Sequence, residues 1–177
     1  MTQMSRAWAM PNPDTFSIGP IAMFIERWLD RSGEVVDPFA RNSRLGTVTN
    51  DLNPETHATY HMEAGDFCDL LIIDGVQASS VIFDPPYSPR QISEVYAAAG
   101  LDCGMKETQN SALYKRVRDR LDPLLVAGGI ALSFGWNSAG FGKERGYELL
   151  EVLLVAHGGA HNDTICVAER KLRGGLL

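Results

Sequence analysis

The stretch Ser80-Val81-Ile82-Phe83-Asp84-Pro85-Pro86-Tyr87 decides how the rest of this chain is read. An apolar run of strand length passes directly into an acidic residue, two prolines and an aromatic. The prolines fix their own φ and remove two backbone donors, so the carbonyls of this turn face outward without internal partners. Asp84 adds a carboxylate acceptor beside them, and Tyr87 supplies a flat face on which a ring can stack. Such a shelf suits a planar amino-heterocycle held by its exocyclic NH2. The plainer alternative is a turn after a strand, because Asp-Pro and Pro-Pro punctuate loops generally.

Outward from this point, apolar runs of strand length alternate with helical stretches, which predicts an α/β fold with a mainly parallel sheet. On the N-terminal side, 18–29 reads as a helix with Ile21, Phe24, Ile25, Trp28 and Leu29 on one face. Strands are predicted at Glu34-Val35-Val36, at 47–50, at Tyr60-His61-Met62 and at Val81-Ile82-Phe83, with a brief helix opened by Pro54. On the C-terminal side, Ser88-Pro89 caps a helix closed by Gly100, and 101–109 reads as a loop. Leu113, Val117 and Leu121 mark a packed helix, and 130–134 is a fifth strand. The runs 147–157 and 163–170 flank Gly158-Gly159 closely enough for an antiparallel hairpin.

The chain has 177 residues, which predicts one domain over 1–177 with a proper core. Hydrophobic residues at 45% and charged ones at 21% are ordinary for a globular protein. Three cysteines without metal-type spacing (Cys68, Cys103, Cys166) read as reduced thiols, and no signal peptide or membrane span is expected. A cytoplasmic location follows as the expectation. The net charge of −6 argues against an indiscriminate polyanion binder. Lys115, Arg116, Arg118 and Arg120 alternate with Asp119 and Asp122, which reads as a solvated helix face. His157 and His161 lack an accompanying cysteine or carboxylate cluster and read as hairpin-loop residues; no metal site is expected.

Three carboxylates fall at predicted strand C-termini: Asp37, Asp51 and Asp84, with Glu63 or Asp66 a fourth after Tyr60-His61-Met62. In open α/β sheets ligands bind outside those carboxyl ends, where strand order reverses. An acidic residue ending the second strand is placed to accept from ribose hydroxyls.

Taken together, these pieces resemble the class I S-adenosylmethionine-dependent methyltransferases, specifically the DNA amino-methyltransferases of adenine or cytosine. Val35-Val36-Asp37-Pro38-Phe39 is similar to their first motif, Asn50-Asp51 to their second and Asp84-Pro85-Pro86-Tyr87 to their catalytic fourth. Asp14-Thr15-Phe16-Ser17-Ile18 with Pro20 resembles the segment that contacts the methionine end of the cofactor. The compactness is like that of small phage-associated adenine methyltransferases. The resemblance implies a Rossmann-like, mostly parallel seven-stranded sheet with an antiparallel C-terminal hairpin and helices on both faces. It implies S-adenosyl-L-methionine as cofactor and adenine N6 in DNA as the foremost acceptor, the base flipped or single-stranded. Carried over, Thr15, Phe16, Ile18, Asp37, Pro38 and Phe39 line the cofactor pocket. Asn50 and Asp51 hold the ribose, and Glu63 or Asp66 the adenine edge. Asp84 with the Pro85 carbonyl holds the target amino group beside Pro86, and Tyr87 stacks on the base.

The chain departs from that pattern in two places. Arg41 and Ser43 stand where the turn glycines of the first motif are expected, and only Gly46 remains. Arg41 or Arg44 is therefore expected to pair with the methionine carboxylate in their stead. No segment has the size of a target-recognition domain, which implies relaxed specificity, a homodimer or an accessory specificity partner. RNA amino-group methylation is the alternative activity, and a non-catalytic nucleotide- or nucleic-acid-binding module the alternative class.

Overall fold

A computed structural model describes residues 2–86, 89–98, 100, 110–159 and 161–172. Tyr87, Ser88, Cys103 and the predicted loop 101–109 lie outside the described residues. Seven strands form one sheet: β1 (Gln3–Trp8), β2 (Glu34–Asp37), β3 (Val48–Thr49), β4 (Ala78–Phe83), β5 (Leu125–Gly135), β6 (Tyr147–Ala156) and β7 (Thr164–Lys171). Four α-helices accompany them: α1 (Gly19–Trp28), α2 (Ala64–Ile73), α3 (Pro89–Ala98) and α4 (Asn110–Leu124). The strand order is β1-β6-β7-β5-β4-β2-β3. Every neighbouring pair is parallel except those of β7, which runs antiparallel to both β5 and β6. The expected α/β class and C-terminal hairpin are thus present.

Burial follows the residues. All six positions of β4 are buried, the pattern of a central strand covered on both sides. Along the central strands alternate residues join different clusters, because successive side chains point to opposite faces. Val35, Ile82 and Leu132 pack with Ile21, Phe24 and Ile25 of α1. Val36, Val81, Phe83 and Ala131 pack with Phe67 and Leu71 of α2 and Val117 and Leu121 of α4. The α1 residues repeat at i, i+3 and i+4, and each such side chain taken from water contributes about 1.5–3 kcal/mol. Glu151 of β6 locks this side further, accepting from Ser5 of β1 (2.9 Å) and from Arg27 (2.8 Å) and Trp28 (2.7 Å) of α1. Burial works to raise its pKa, but these three donors outweigh it and hold Glu151 below the ordinary range.

Three expectations are corrected. Tyr60-His61-Met62 is not a strand; only a single bridge joins Tyr60 to Asn50. The seventh strand is instead β1, from the N-terminal segment, whose exposed Met4, Arg6 and Trp8 conceal the alternation of an edge strand. Pro54 opens a turn rather than a helix, and the helix of this region is α2, ten residues later. Its sequence Ala64-Gly65-Asp66-Phe67-Cys68-Asp69-Leu70-Leu71-Ile72-Ile73 is apolar on nearly every side of its second half, so the helical period is blurred. Among the described residues no helix is long and apolar enough to cross a membrane.

Candidate functional site

β2 is the point at which the sheet reverses direction of growth. From β2 the chain moves outward to β3, then returns to lay β4 on the other side. The loops leaving β2 and β4 therefore diverge and leave a crevice at their C-terminal ends. The connection 38–47 contains no helix, although β2 and β3 are parallel. It is tightened by Ser43 N–H donating to Ala40 O and by Arg41 at φ 51°, a left-handed backbone where glycine is the ordinary choice. Arg41 N–H donates to Asp51 Oδ2 (3.0 Å), and that bond holds the strained turn. Gly46 closes the connection under Thr49 and Asp37; a Cβ there would lie 2.9 Å from Thr49 Cγ2 and 3.0 Å from Asp37 Cβ.

The crevice contains a cavity of about 540 Å³, within the range of small-molecule sites. Pro38, Phe39, Asn50, Asp51 and Glu63 line one side, and Asp84, Pro85 and Pro86 another. A neighbouring cavity of about 310 Å³ shares Thr15, Phe39, Arg41 and Asp84 with it and adds Phe16. Segments far apart in sequence are thus gathered at one edge of the sheet.

Individual residues divide into those that face the cavities and those that frame them. Asp37 is fully buried; its Oδ1 accepts from Phe39 N–H (3.1 Å), while Oδ2 has no partner. Burial, reinforced by the Asp84 and Asp51 carboxylates and opposed by the Phe39 N–H, pushes its pKa up to about 8. Asp51 accepts from Asn53 N–H (2.9 Å) as well as from Arg41, and its remaining lone pairs face the larger cavity. Asn50 is a brace: its amide donates to Pro38 O (3.2 Å) and Met62 O (3.0 Å) and accepts from Met62 N–H (3.1 Å). Arg41 donates to Pro13 O (2.9 Å) and so ties the N-terminal segment over the site.

Three expected residues stand apart, the first of them Asp37, which is fully buried and lines neither cavity. Ile18 is the buried residue preceding α1, packed in the core rather than lining either cavity. Asp66 pairs with Arg116 of α4 (3.2 Å) and does not line the cavity that Glu63 reaches. Glu63 itself caps α2, accepting from Gly65 N–H (2.8 Å), and pairs with Arg116 (2.9 Å). Both arginines are exposed, but only Arg41 lines the cavities; Arg44 lines neither.

Beyond Pro85 lies a third, smaller cavity of about 90 Å³, lined by Phe83, Tyr114, Arg118, Ser133 and Trp136. Pro85 is a wall common to it and to the largest cavity. Contrary to the expectation of carbonyls without internal partners, the ledge is held from below: Tyr114 Oη donates to Pro86 O (2.5 Å), and Phe83 meets Phe39 and Tyr114 edge-on at 5.9 and 6.0 Å. Burial and the Asp84 charge push the Tyr114 hydroxyl up to about 12, so it remains a donor. The Arg118 guanidinium lies 5.6 Å from the Phe83 ring centre. It is half-buried here, unlike the solvated residue expected from its charged neighbours. Those neighbours are paired, Arg116 with Glu63 and Asp66 and Arg120 with Asp69 across to α2, and Lys115 with Asp119 along α4 itself.

Sequence reasoning did not single out Tyr114, Arg118 or Ser133. Tyr114 and Arg118 stand at i and i+4, a spacing that places them on one face without saying which. Ser133 did leave a signal, as a small polar residue within the apolar run 130–134. His157 is a structural residue: Nδ1 faces Ala9 O (2.9 Å), so it carries the proton, and Nε2 accepts from Thr164 Oγ1 (2.9 Å). Among the described residues no group of three or more His, Cys, Asp or Glu is arranged to hold a metal.

No family model matches this chain, and no curated protein matches it either.

Proposed function

We propose that this chain is a Rossmann-like class I methyltransferase that uses S-adenosyl-L-methionine to methylate the exocyclic amino group of a DNA base, adenine N6 foremost. The observation that carries the reading is the position of Asp84-Pro85: at the tip of β4, beside the reversal point of the sheet, walling cavities on two sides. A simple loop turn does not require a crevice, a buried carboxylate and a second cavity to converge on it.

The residues present fit the cofactor. Asp37 supports the site from beneath: its buried carboxyl holds the Phe39 N–H, and Pro38 and Phe39 line the larger cavity. Arg41, with Thr15 and Phe16, lines the cavity suited to its carboxylate end. Asp51 is available to its ribose hydroxyls, and Phe39 offers an apolar face. When bound, the cofactor supplies a methyl carbon already made electrophilic by positive sulfur, which leaves as a neutral thioether.

The work of this chain is then orientation. Asp84 accepts a hydrogen bond from one amino N–H and the Pro85 carbonyl from the other, which localises the nitrogen lone pair toward the donor. Transfer to that nitrogen would form the N–C bond as the C–S pair returned to sulfur, and the displaced amino proton would pass by Asp84 to water. A base inside a duplex cannot reach this ledge, so it is flipped out or taken from a single strand.

Calorimetric titration with S-adenosylmethionine, followed by transfer of labelled methyl to DNA and to RNA, tests the reading. We expect saturable cofactor binding and transfer to DNA, with Asp84→Ala retaining binding but losing transfer about a hundredfold or more. Failure of the wild-type protein to bind at millimolar cofactor would sink it and favour a non-catalytic module; transfer to RNA alone would reassign the substrate.

A further inference from the structure

The small cavity behind Pro85 contains a feature that the fold does not explain. Ser133 is 7% exposed, and its Oγ has no hydrogen-bond partner. An orphaned buried hydroxyl carries a desolvation cost, which an apolar alanine of nearly the same shape would avoid. By strand alternation Ser133 shares a face with Phe83 and Ala131, the side covered by α4, and it is the register partner of Phe83. Asp84 is the next residue. With strands about 4.8 Å apart and consecutive Cα atoms 3.8 Å apart, the Ser133 and Asp84 backbones lie within roughly 9 Å of each other. Pro85, which follows Asp84, lines both this cavity and the larger one that Asp84 lines.

The rest of the lining is donor-rich. Arg118 is fixed by donating from Nε to Tyr114 O (3.3 Å) and from Nη1 to Gly140 O. Asn137 has its Oδ1 occupied by Ala139 N–H (3.0 Å), which turns its NH2 group into the remaining polar function. Among the described residues no carboxylate lines the cavity. A volume of about 90 Å³ is below the roughly 150 Å³ that admits benzene, so it takes the edge of a ring rather than a whole base. An edge bearing lone pairs, with no hydrogens to donate, matches this set.

We propose that this cavity is the recognition subsite for the acceptor base, with the Ser133 hydroxyl donating to the ring nitrogen beside the amino group that Asp84 holds. The inference rests on the methyltransferase reading above and adds to it the residue that selects the ring. Ser133 touches the base but not the reacting atoms, so its loss changes recognition and leaves cofactor binding intact.

The experiment compares wild-type protein and Ser133→Ala on single-stranded oligonucleotides containing adenine, 1-deazaadenine or 7-deazaadenine, with methyl transfer and thermal melting as readouts. Wild type should lose about tenfold in kcat/KM on the analogue lacking the nitrogen that Ser133 contacts. Ser133→Ala should show the same loss on ordinary adenine and no further loss on that analogue. Its melting temperature should rise or hold, because an orphaned polar group has been removed, and its cofactor affinity should be unchanged. Equal kcat/KM for both proteins on adenine, or a loss that persists undiminished on both analogues, overturns the inference alone. Absence of transfer by wild type overturns the underlying reading and the inference with it.

Discussion

At the scale of the residue, Asp37 shows how a site can be held ready at a cost to the fold. One oxygen is satisfied and the other is not, within a shell that already contains Asp51 and Asp84. Its carboxyl is raised in the folded state to about 8 from 3.8, so between those values the native protein binds a proton that the unfolded chain has released. Stability from this group is therefore intact below about pH 4 and declines as pH rises toward 8, by up to about 1.4 kcal/mol per unit. Asp37→Asn should remove that slope: equal to wild type near pH 4 and more stable at pH 8. Urea midpoints of both proteins at pH 5 and pH 8 check this, and parallel curves would refute it. Asp37, Asp51 and Asp84 were legible in the sequence because each ends a strand, and strand ends are what hydrophobic runs mark best. Tyr114, Arg118 and Ser133 were not, because their roles depend on how α4 lies across β4 and β5, a long-range fact with no local signature.

At the scale of the element, the fold secures the segments that carry the site by buried ionic anchors. Lys171 on β7 is 1% exposed, and its ammonium donates to Asp122 O and to Leu125 O (3.0 Å) while pairing with Asp122 Oδ1 (3.3 Å). It thereby satisfies carbonyls where α4 ends and β5 begins, the expected use of a cation at a helix C-terminus. Lys171→Met should cost about 2 kcal/mol, read as a lower urea midpoint at unchanged m-value. Glu169, two residues earlier, accepts from Phe141 N–H (2.6 Å) and Gly142 N–H (2.9 Å). It fixes the turn whose Gly140, at φ 48°, leaves no room for a Cβ, since one would lie 2.2 Å from Glu169 Oε2. The hairpin that contains these residues was legible from its glycines and apolar runs. The anchors were not, because a lysine or glutamate at a strand end ordinarily reads as exposed. α2 and β1 were missed for the opposite reason: one is too uniformly apolar and the other too uneven to show its period.

At the scale of the whole molecule, charge sets how the protein meets a polyanion. The net charge is −6, and Lys115, Arg116 and Arg120 of α4 are paired with carboxylates of α4 and of the α2 segment, while Arg118 donates to the Tyr114 and Gly140 carbonyls. On the proposed reading, long-range attraction to DNA would accordingly be weak, and recognition would depend on short-range contacts near the ledge. Fluorescence anisotropy on a labelled strand between 50 and 200 mM salt should give a log–log slope no steeper than about −3, the release expected of a few phosphates. A steep slope would mean that the ion pairs between the helices open to serve the ligand.

The wiring of the smallest cavity also fixes when it can exist. Its wall begins at Phe83, passes through Tyr114 and Arg118, and closes on a turn held by Glu169, with Lys171 clamping the helix behind it. A nascent chain emerging from the ribosome has the proline ledge long before it has the strand that tethers the opposite side. The pocket is therefore a late product of synthesis, and a chain ended between residues 86 and 169 has a ledge but lacks the Glu169 tether of the chamber behind it.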